Sequence, residues 1–361
     1  MKGPKHIVLI ELESSHDECL YSQVLFLSKR KHKVSMILSP HAFENTKHFH
    51  HLCEQVYMAE LNNAFGGHRK MIKEIKQYCK NWKVDTLVFN TAQGSFVRDF
   101  CFFSLFYRKK VLGILHTIKK LEGSFTQRII SLKIKQYFVL SNILYNKITP
   151  EKRKNIGVFY PLFFDYAKNK NQTSPDEFNI VLSGGVERRR KDLDGLIELI
   201  RENEIPHHWK FVFAGKSDPK NEIYQTLKKL VKSKKQTTQF VFFESFIPTN
   251  DYFQLIAEAH VILPLIHPNT PSNEEYMTRQ ISGAFNLAYG FQVPMLIHNS
   301  FDDVPEFQAS SFFYSTPELI QILKEVDNNR ELLKEKRAQI YDYPLFIFDH
   351  QQANYLKLIE N

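Results

Sequence analysis

The stretch Asn179–Ile200, NIVLSGGVERRRKDLDGLIELI, runs from an apolar segment through two glycines and a cationic cluster into an amphipathic repeat. Gly184 and Gly185 permit positive φ and close backbone approach. Arg188, Arg189 and Arg190 offer planar forks for phosphate oxygens, and Lys191 a compact point charge. A helix beginning near Lys191 would add free N–H groups and the positive end of its dipole. Together these suit a diphosphate, although a solvated basic turn is the plainer account of the same residues. Neither the dinucleotide glycine fingerprint nor the Gly-Lys-Ser/Thr ending of a P-loop is present.

The first half holds the candidates for proton chemistry. His16 lies in ELESSHDECLY, just after an apolar run and beside Asp17 and Glu18. His116 ends the run VLGILHT. With 15 histidines in the chain a single one is ordinarily incidental, so position decides which matter. Thr91, Gln93 and Gly94 follow another apolar run and are expected to line the same region. Two metal-like signals are better explained otherwise. Asp192-Leu193-Asp194 opens a helical repeat in which Leu193 belongs to the apolar face, so capping is expected. His48, His50 and His51 cluster without a carboxylate or cysteine arrangement to complete a site. Neither a metal nor a resident cofactor is expected.

The elements that must position these residues are legible as alternating patterns. Strand-like runs occur at His6–Leu12, Val34–Leu38, Val84–Phe89, Val111–Leu115 and Tyr137–Leu140. A second series occupies Phe178–Leu182, Phe211–Ala214, Phe240–Phe243, Val261–Leu265 and Val293–Ile297. Helical patterns lie between them, among them Leu193, Leu196, Ile197 and Ile200 at the spacing of one face. Uniformly apolar strands separated by helices imply parallel sheets covered on both sides. The polar tract Lys168–Asp176 reads as a linker. The expectation is an α/β chain of two Rossmann-like domains facing across an interdomain cleft. Their expected spans are residues 1–165 and 175–344. A helix within 345–361, read as Phe346–Glu360, is expected to return to the first domain.

Composition narrows the partners. The 361 residues exceed one usual core of roughly 100–200 residues. Four scattered cysteines fit a reducing compartment, and the amino end shows no cleavable signal, so a cytoplasmic protein is expected. A net charge of +9 suits an anionic partner, yet no nucleic-acid module is recognisable and none is expected to bind. The segment Phe100–Leu115, FCFFSLFYRKKVLGIL, combines aromatics with cations. Peripheral docking on the inner membrane face is one reading of that pattern. The simpler expectation is that the aromatics cover a sheet face and the cations mark a helix end.

Four blocks in order carry a resemblance. They are the Asn179–Ile200 stretch, KFVFAGKSD (Lys210–Asp218), FFESFIPTNDYFQLIAEAHVILPL (Phe242–Leu265) and GAFNLAYGFQVPMLIHNSFDDVPEF (Gly283–Phe307). This region resembles the donor domain of GT-B glycosyltransferases, especially glycosyltransferase family four. The resemblance implies a metal-independent enzyme that moves a sugar from a UDP- or GDP-sugar to a saccharide or lipid-linked glycan. It places Lys191 on the diphosphate lysine, with Arg189 or Arg190 as the accompanying arginine. It sets Gly184, Gly185 and Gly215 in the phosphate turn and the Ser245–Phe246–Ile247 turn beside the base, with Gly283 starting a helix toward donor phosphate. It also implies that His116 touches the reacting sugar and His16 orients the acceptor. The family's two glutamates, counted back from Pro294, fall on Arg279 and Leu287. Glu274, Glu275 and Tyr276 are candidates to substitute, and Arg279 and Ser282 candidates for phosphate contact. Ser14 and Ser15 replace the glycine pair common after the first strand of retaining members. The departures leave a sugar-nucleotide epimerase and an inactive nucleotide-sugar-binding or scaffold protein as alternatives.

Overall fold

The computed structural model describes residues 3–61, 66–166 and 176–361, Met277 without its side chain. All of the expected linker except Asp176 lies outside the described residues. The chain divides into two compact units. The first comprises Met1–Asp165, Thr278–Ile281 and Phe348–Asn361, and the second Tyr166–Met277 and Ser282–Ile347.

The first unit is built on seven parallel strands: β1 (His6–Glu11), β2 (Lys33–Leu38), β3 (Gln55–Met58), β4 (Thr86–Phe89), β5 (Lys110–Leu115), β6 (Gln136–Val139) and β7 (Ile156–Val158). Their order is β3-β2-β1-β4-β5-β6-β7. The central strands are apolar on both faces because helices cover both; Ile7, Leu9 and Val24 pack in one layer while Val8, Ile10 and Ile75 pack in the other. The helix Phe348–Glu360 buries Tyr355, Leu356, Leu358 and Ile359 in this unit, each worth roughly 1.5–3 kcal/mol. Tyr355 stacks on Phe138 with ring centroids 4.8 Å apart, and its hydroxyl donates to Gln23 Oε1 at 3.0 Å.

The second unit repeats the plan with six parallel strands: β8 (Phe178–Ser183), β9 (Trp209–Lys216), β10 (Phe240–Phe243), β11 (Val261–Ile262), β12 (Met295–His298) and β13 (Ser311–Tyr314). Their order is β10-β9-β8-β11-β12-β13. Leu193, Leu196, Ile197 and Ile200 form the buried face of the helix Leu193–Glu202, as their spacing predicts. Strand β11 is shorter than its apolar run. Pro264 has no N–H for the ladder, and Leu265 takes a left-handed φ of 54°.

In both sheets the strand order reverses beside the first strand, between β1 and β4 and between β8 and β11. Ligands of such sheets settle beyond the carboxyl ends of the strands at that reversal.

Candidate functional site

At the β8–β11 reversal, Gly184 holds φ at 82° and turns the chain out of the sheet. Gly215, at the end of β9, lies against it; a Cβ there would sit 2.4 Å from the Gly184 carbonyl carbon. The strand ends thus abut backbone to backbone, which needs glycine. Lys191 folds back over this turn and donates from Nζ to the Gly185 carbonyl at 3.0 Å. It is 7% exposed. Desolvation lowers its pKa from 10.5 to about 8, with Glu187 opposing and Arg190 adding to the fall. Its hydrogen bond goes to a neutral carbonyl, and the Glu187 carboxylate compensates the buried ammonium only in part. The Gly185 and Val186 N–H groups beside it make no hydrogen bond within the described residues.

The other cations behave differently. Arg188 pairs with Asp194 at 3.0 Å, and Arg190 with Glu187 at 3.3 Å. Arg189 donates to Ser272 Oγ at 2.9 Å and lies 3.7 Å from Glu275. All three arginines are about half exposed, so only Lys191 turns inward. The helix also begins later than expected, at Leu193. Its expected free N–H groups are largely occupied. Asp192 Oδ1 accepts from Gly195 N at 3.0 Å, and Asp192 N donates to Leu265 O at 2.8 Å. Asp192 is therefore a cap while Asp194 faces Arg188.

The contact of Arg189 with Ser272 draws the short helix Asn273–Thr278, carrying Glu275 and Tyr276, to the Gly184–Lys191 turn. Beyond β10, Phe246 between Ser245 and Ile247 is 79% exposed, with Lys216 Nζ 5.6 Å from its ring centroid. Ser282 caps the helix Gly283–Phe291. Arg279 does not open that helix. It belongs to the Thr278–Ile281 segment of the first unit, where its carbonyl accepts from Ile118 N at 2.9 Å. Leu287 is buried at 8% exposure and has no polar atom for a ribose.

A buried relay beneath the turn was not anticipated. Asp192 Oδ2 meets His267 Nδ1 at 2.6 Å, and His267 Nε2 meets the Tyr314 hydroxyl at 2.7 Å. The hydrogen bond to His267 holds the Asp192 carboxyl below the usual range, against the effect of burial. His267 stands in LPLIHPNT just past β11, a strand-end position that points to it.

The first unit gathers its polar groups at the β1–β4 reversal. Glu11, the last residue of β1, is 1% exposed. Its carboxylate accepts from Asn90 Nδ2 at 2.7 Å, Thr91 Oγ1 at 2.6 Å and Glu13 N at 2.8 Å. Burial nevertheless outweighs these bonds and raises its pKa to about 7. Thr91 spends its hydroxyl on Glu11 and does not line an open surface. Asn90 also donates to the His16 carbonyl at 2.8 Å, which steadies His16 at a left-handed φ of 72°.

That turn lays the His16 ring on His116, with centroids 3.6 Å apart and planes 14° from parallel. His116 Nε2 is 2.8 Å from the Asn90 carbonyl, which can only accept, so this nitrogen carries the proton. Burial, reinforced by His16, depresses the His116 pKa to about 3, leaving a neutral ring whose Nδ1 is an acceptor. Burial also disfavours charge on His16, but Glu18, Glu11 and Asp17 outweigh it and raise its pKa.

No protein-family profile matches the sequence, and no curated protein matches it. Solved structures do. Anabaena Alr3699/HepE in complex with UDP is 14% identical, with a TM-score of 0.68 over 99% of this chain and 100% of that one. A glycosyltransferase from Rickettsia africae is 11% identical, with a TM-score of 0.67 over 99% and 98%. UDP-GlcNAc 2-epimerase from Neisseria meningitidis bound to UDP-GlcNAc is 12% identical, with a TM-score of 0.60 over 99% and 100%. The likeness, with two parallel-sheet α/β units, establishes the GT-B fold.

Proposed function

We propose that the protein is a GT-B glycosyltransferase, nearest in design to family four. It would move a sugar from a nucleoside diphosphate donor, UDP- or GDP-linked, to a saccharide or lipid-linked glycan. The observation that carries this reading is Lys191, a desolvated ammonium folded onto a glycine turn beside unbonded N–H groups at the strand-order reversal. A diphosphate supplies the hydrogen-bonded anion that lysine lacks, and the cation in turn stabilises the departing nucleotide. Phe246 gives a base an exposed aromatic face, and Glu275 with Tyr276 provides polar groups for the sugar or ribose.

The histidine pair supports a division of labour. His116, neutral and fixed by Asn90, is suited to accept a hydrogen bond from the transferred sugar rather than a proton. His16, with the higher pKa, is the better proton acceptor for an acceptor hydroxyl.

Thermal-shift measurements with UDP, GDP and their sugars test the reading. A nucleotide-dependent rise that Lys191→Ala abolishes supports it, and no shift with any nucleotide contradicts it. The placement of Leu287 and Arg279 favours the nucleotide-sugar-binding alternative. Nucleotide binding with neither transfer nor epimerisation across an acceptor panel would establish that alternative.

A further inference from the structure

A second basic region lies in the first unit, away from the carboxyl ends of its strands. A cavity of about 730 Å³ is lined by Arg69, Lys73, Lys76, Lys80, Lys83 and Lys109, with no acidic side chain among its lining residues. Four of these cations sit on the helix Gly67–Asn81 at a spacing that presents them to one side. Phe103 and Tyr107 form the apolar part of the wall. Arg69 lies 4.7 Å from the Phe103 ring centroid, and Lys76 lies 5.7 Å from that of Tyr107.

The segment leaving the helix Gly94–Phe103 continues this wall outward. The expectation that its aromatics cover the sheet holds for Phe100, which is buried. It fails for Phe102, Phe103 and Phe106, exposed at 54%, 42% and 98%, and the neighbouring Leu105 is exposed at 38%. The sheet face is already filled by Phe96, Val97 and Phe100, so the later side chains have no room there.

We propose that this surface docks on an anionic phospholipid membrane, with headgroup phosphates in the cationic cavity and Phe102, Leu105 and Phe106 in the acyl boundary. A free polyanion accounts for the cations but leaves a fully exposed phenylalanine in water. An anionic bilayer accounts for both, since the cations meet Phe103 and Tyr107 in one wall and the same segment carries the exposed Phe102, Leu105 and Phe106. No helix among the described residues is long and apolar enough to span a bilayer, so this attachment is interfacial. It involves none of the residues assigned to nucleotide and tests independently of them.

Flotation of the full chain with phosphatidylglycerol–phosphatidylcholine vesicles, against phosphatidylcholine alone, provides the test. Binding to the anionic vesicles only, weakened by salt, is expected. Lys73→Ala and Lys80→Ala should each lower affinity about fivefold. Phe106→Ser, at a site too exposed to disturb folding, should lower it about tenfold or more. Equal binding to neutral vesicles, no binding to either, or an unaffected Phe106→Ser variant overturns the proposal. Release by pyrophosphate, but not by chloride of equal ionic strength, would assign the cavity to a free phosphate and also overturn it.

Discussion

If Lys191 grips a diphosphate, nucleotide affinity must carry the titration of that lysine. Desolvation lowers its pKa from 10.5 to about 8, which corresponds to about 3 kcal/mol disfavouring the charged form in the free protein. A bound diphosphate restores a counter-charge, so binding requires the ammonium and takes up a proton wherever the free lysine has lost one. Phosphate oxygens are fully ionised above pH of about 7, so the ligand's charge is constant there. Affinity should therefore hold from pH 7 to near 8, then fall about tenfold by pH 9 and about a hundredfold by pH 10. Lys191→Met removes the titrating group. At pH 7 it should bind about tenfold or more weakly, the loss of one charge-assisted bond, and its affinity should be flat to pH 9. Calorimetric titration of UDP, or whichever nucleotide binds, into both proteins at pH 7, 8 and 9 measures this. Parallel pH profiles would refute the assignment, because the arginines of the loop do not titrate in that range.

Three further outcomes follow from particular contacts. Glu11 is raised from 4.5 to about 7, so the folded state holds a proton that the unfolded state releases, and stability falls as pH rises through that window. Relative to Glu11→Gln, the natural protein should lose about 3 kcal/mol between pH 4.5 and 7; denaturant melts with equal pH slopes would contradict this. His116→Ala should cut turnover about a hundredfold while leaving the donor Kd within about twofold, and a matching loss of binding would move His116 out of its proposed role. Gly215→Ala drives a methyl into the Gly184 backbone at 2.4 Å and should cost about 3 kcal/mol or more; an unchanged Tm would mean the strand ends can part.

The central strands were readable because burial on both faces forces uniform apolar runs, as in HIVLIE and FNIVLS. Strands β3 and β7, at the two edges of the first sheet, escaped notice because they bury less. QVYM and IGV are half exposed and carry no such run. The cationic cluster was visible as a cluster, yet sequence offers no means to separate Lys191, folded inward, from the arginines. Their acidic partners are as far away as Glu222 and Glu275. Capping by Asp192 was legible from its place before an apolar face, while its bond to His267 joins residues 75 apart. Glu11 left a signal that could have been used: a carboxylate closing an otherwise apolar strand. The stacking of His16 on His116 depends on a left-handed φ that a histidine seldom adopts, and the residue types alone do not announce it.

Whether the Gly184–Lys191 turn holds a pyrophosphate can be seen in a crystal soaked with UDP or a UDP-sugar. Phosphate oxygens should lie within hydrogen-bond distance of Lys191 Nζ and the Gly185 and Val186 N–H groups, with the Gly185 carbonyl released from the ammonium. A nucleotide whose phosphates sit away from this turn, with Lys191 still bonded to Gly185, would contradict this.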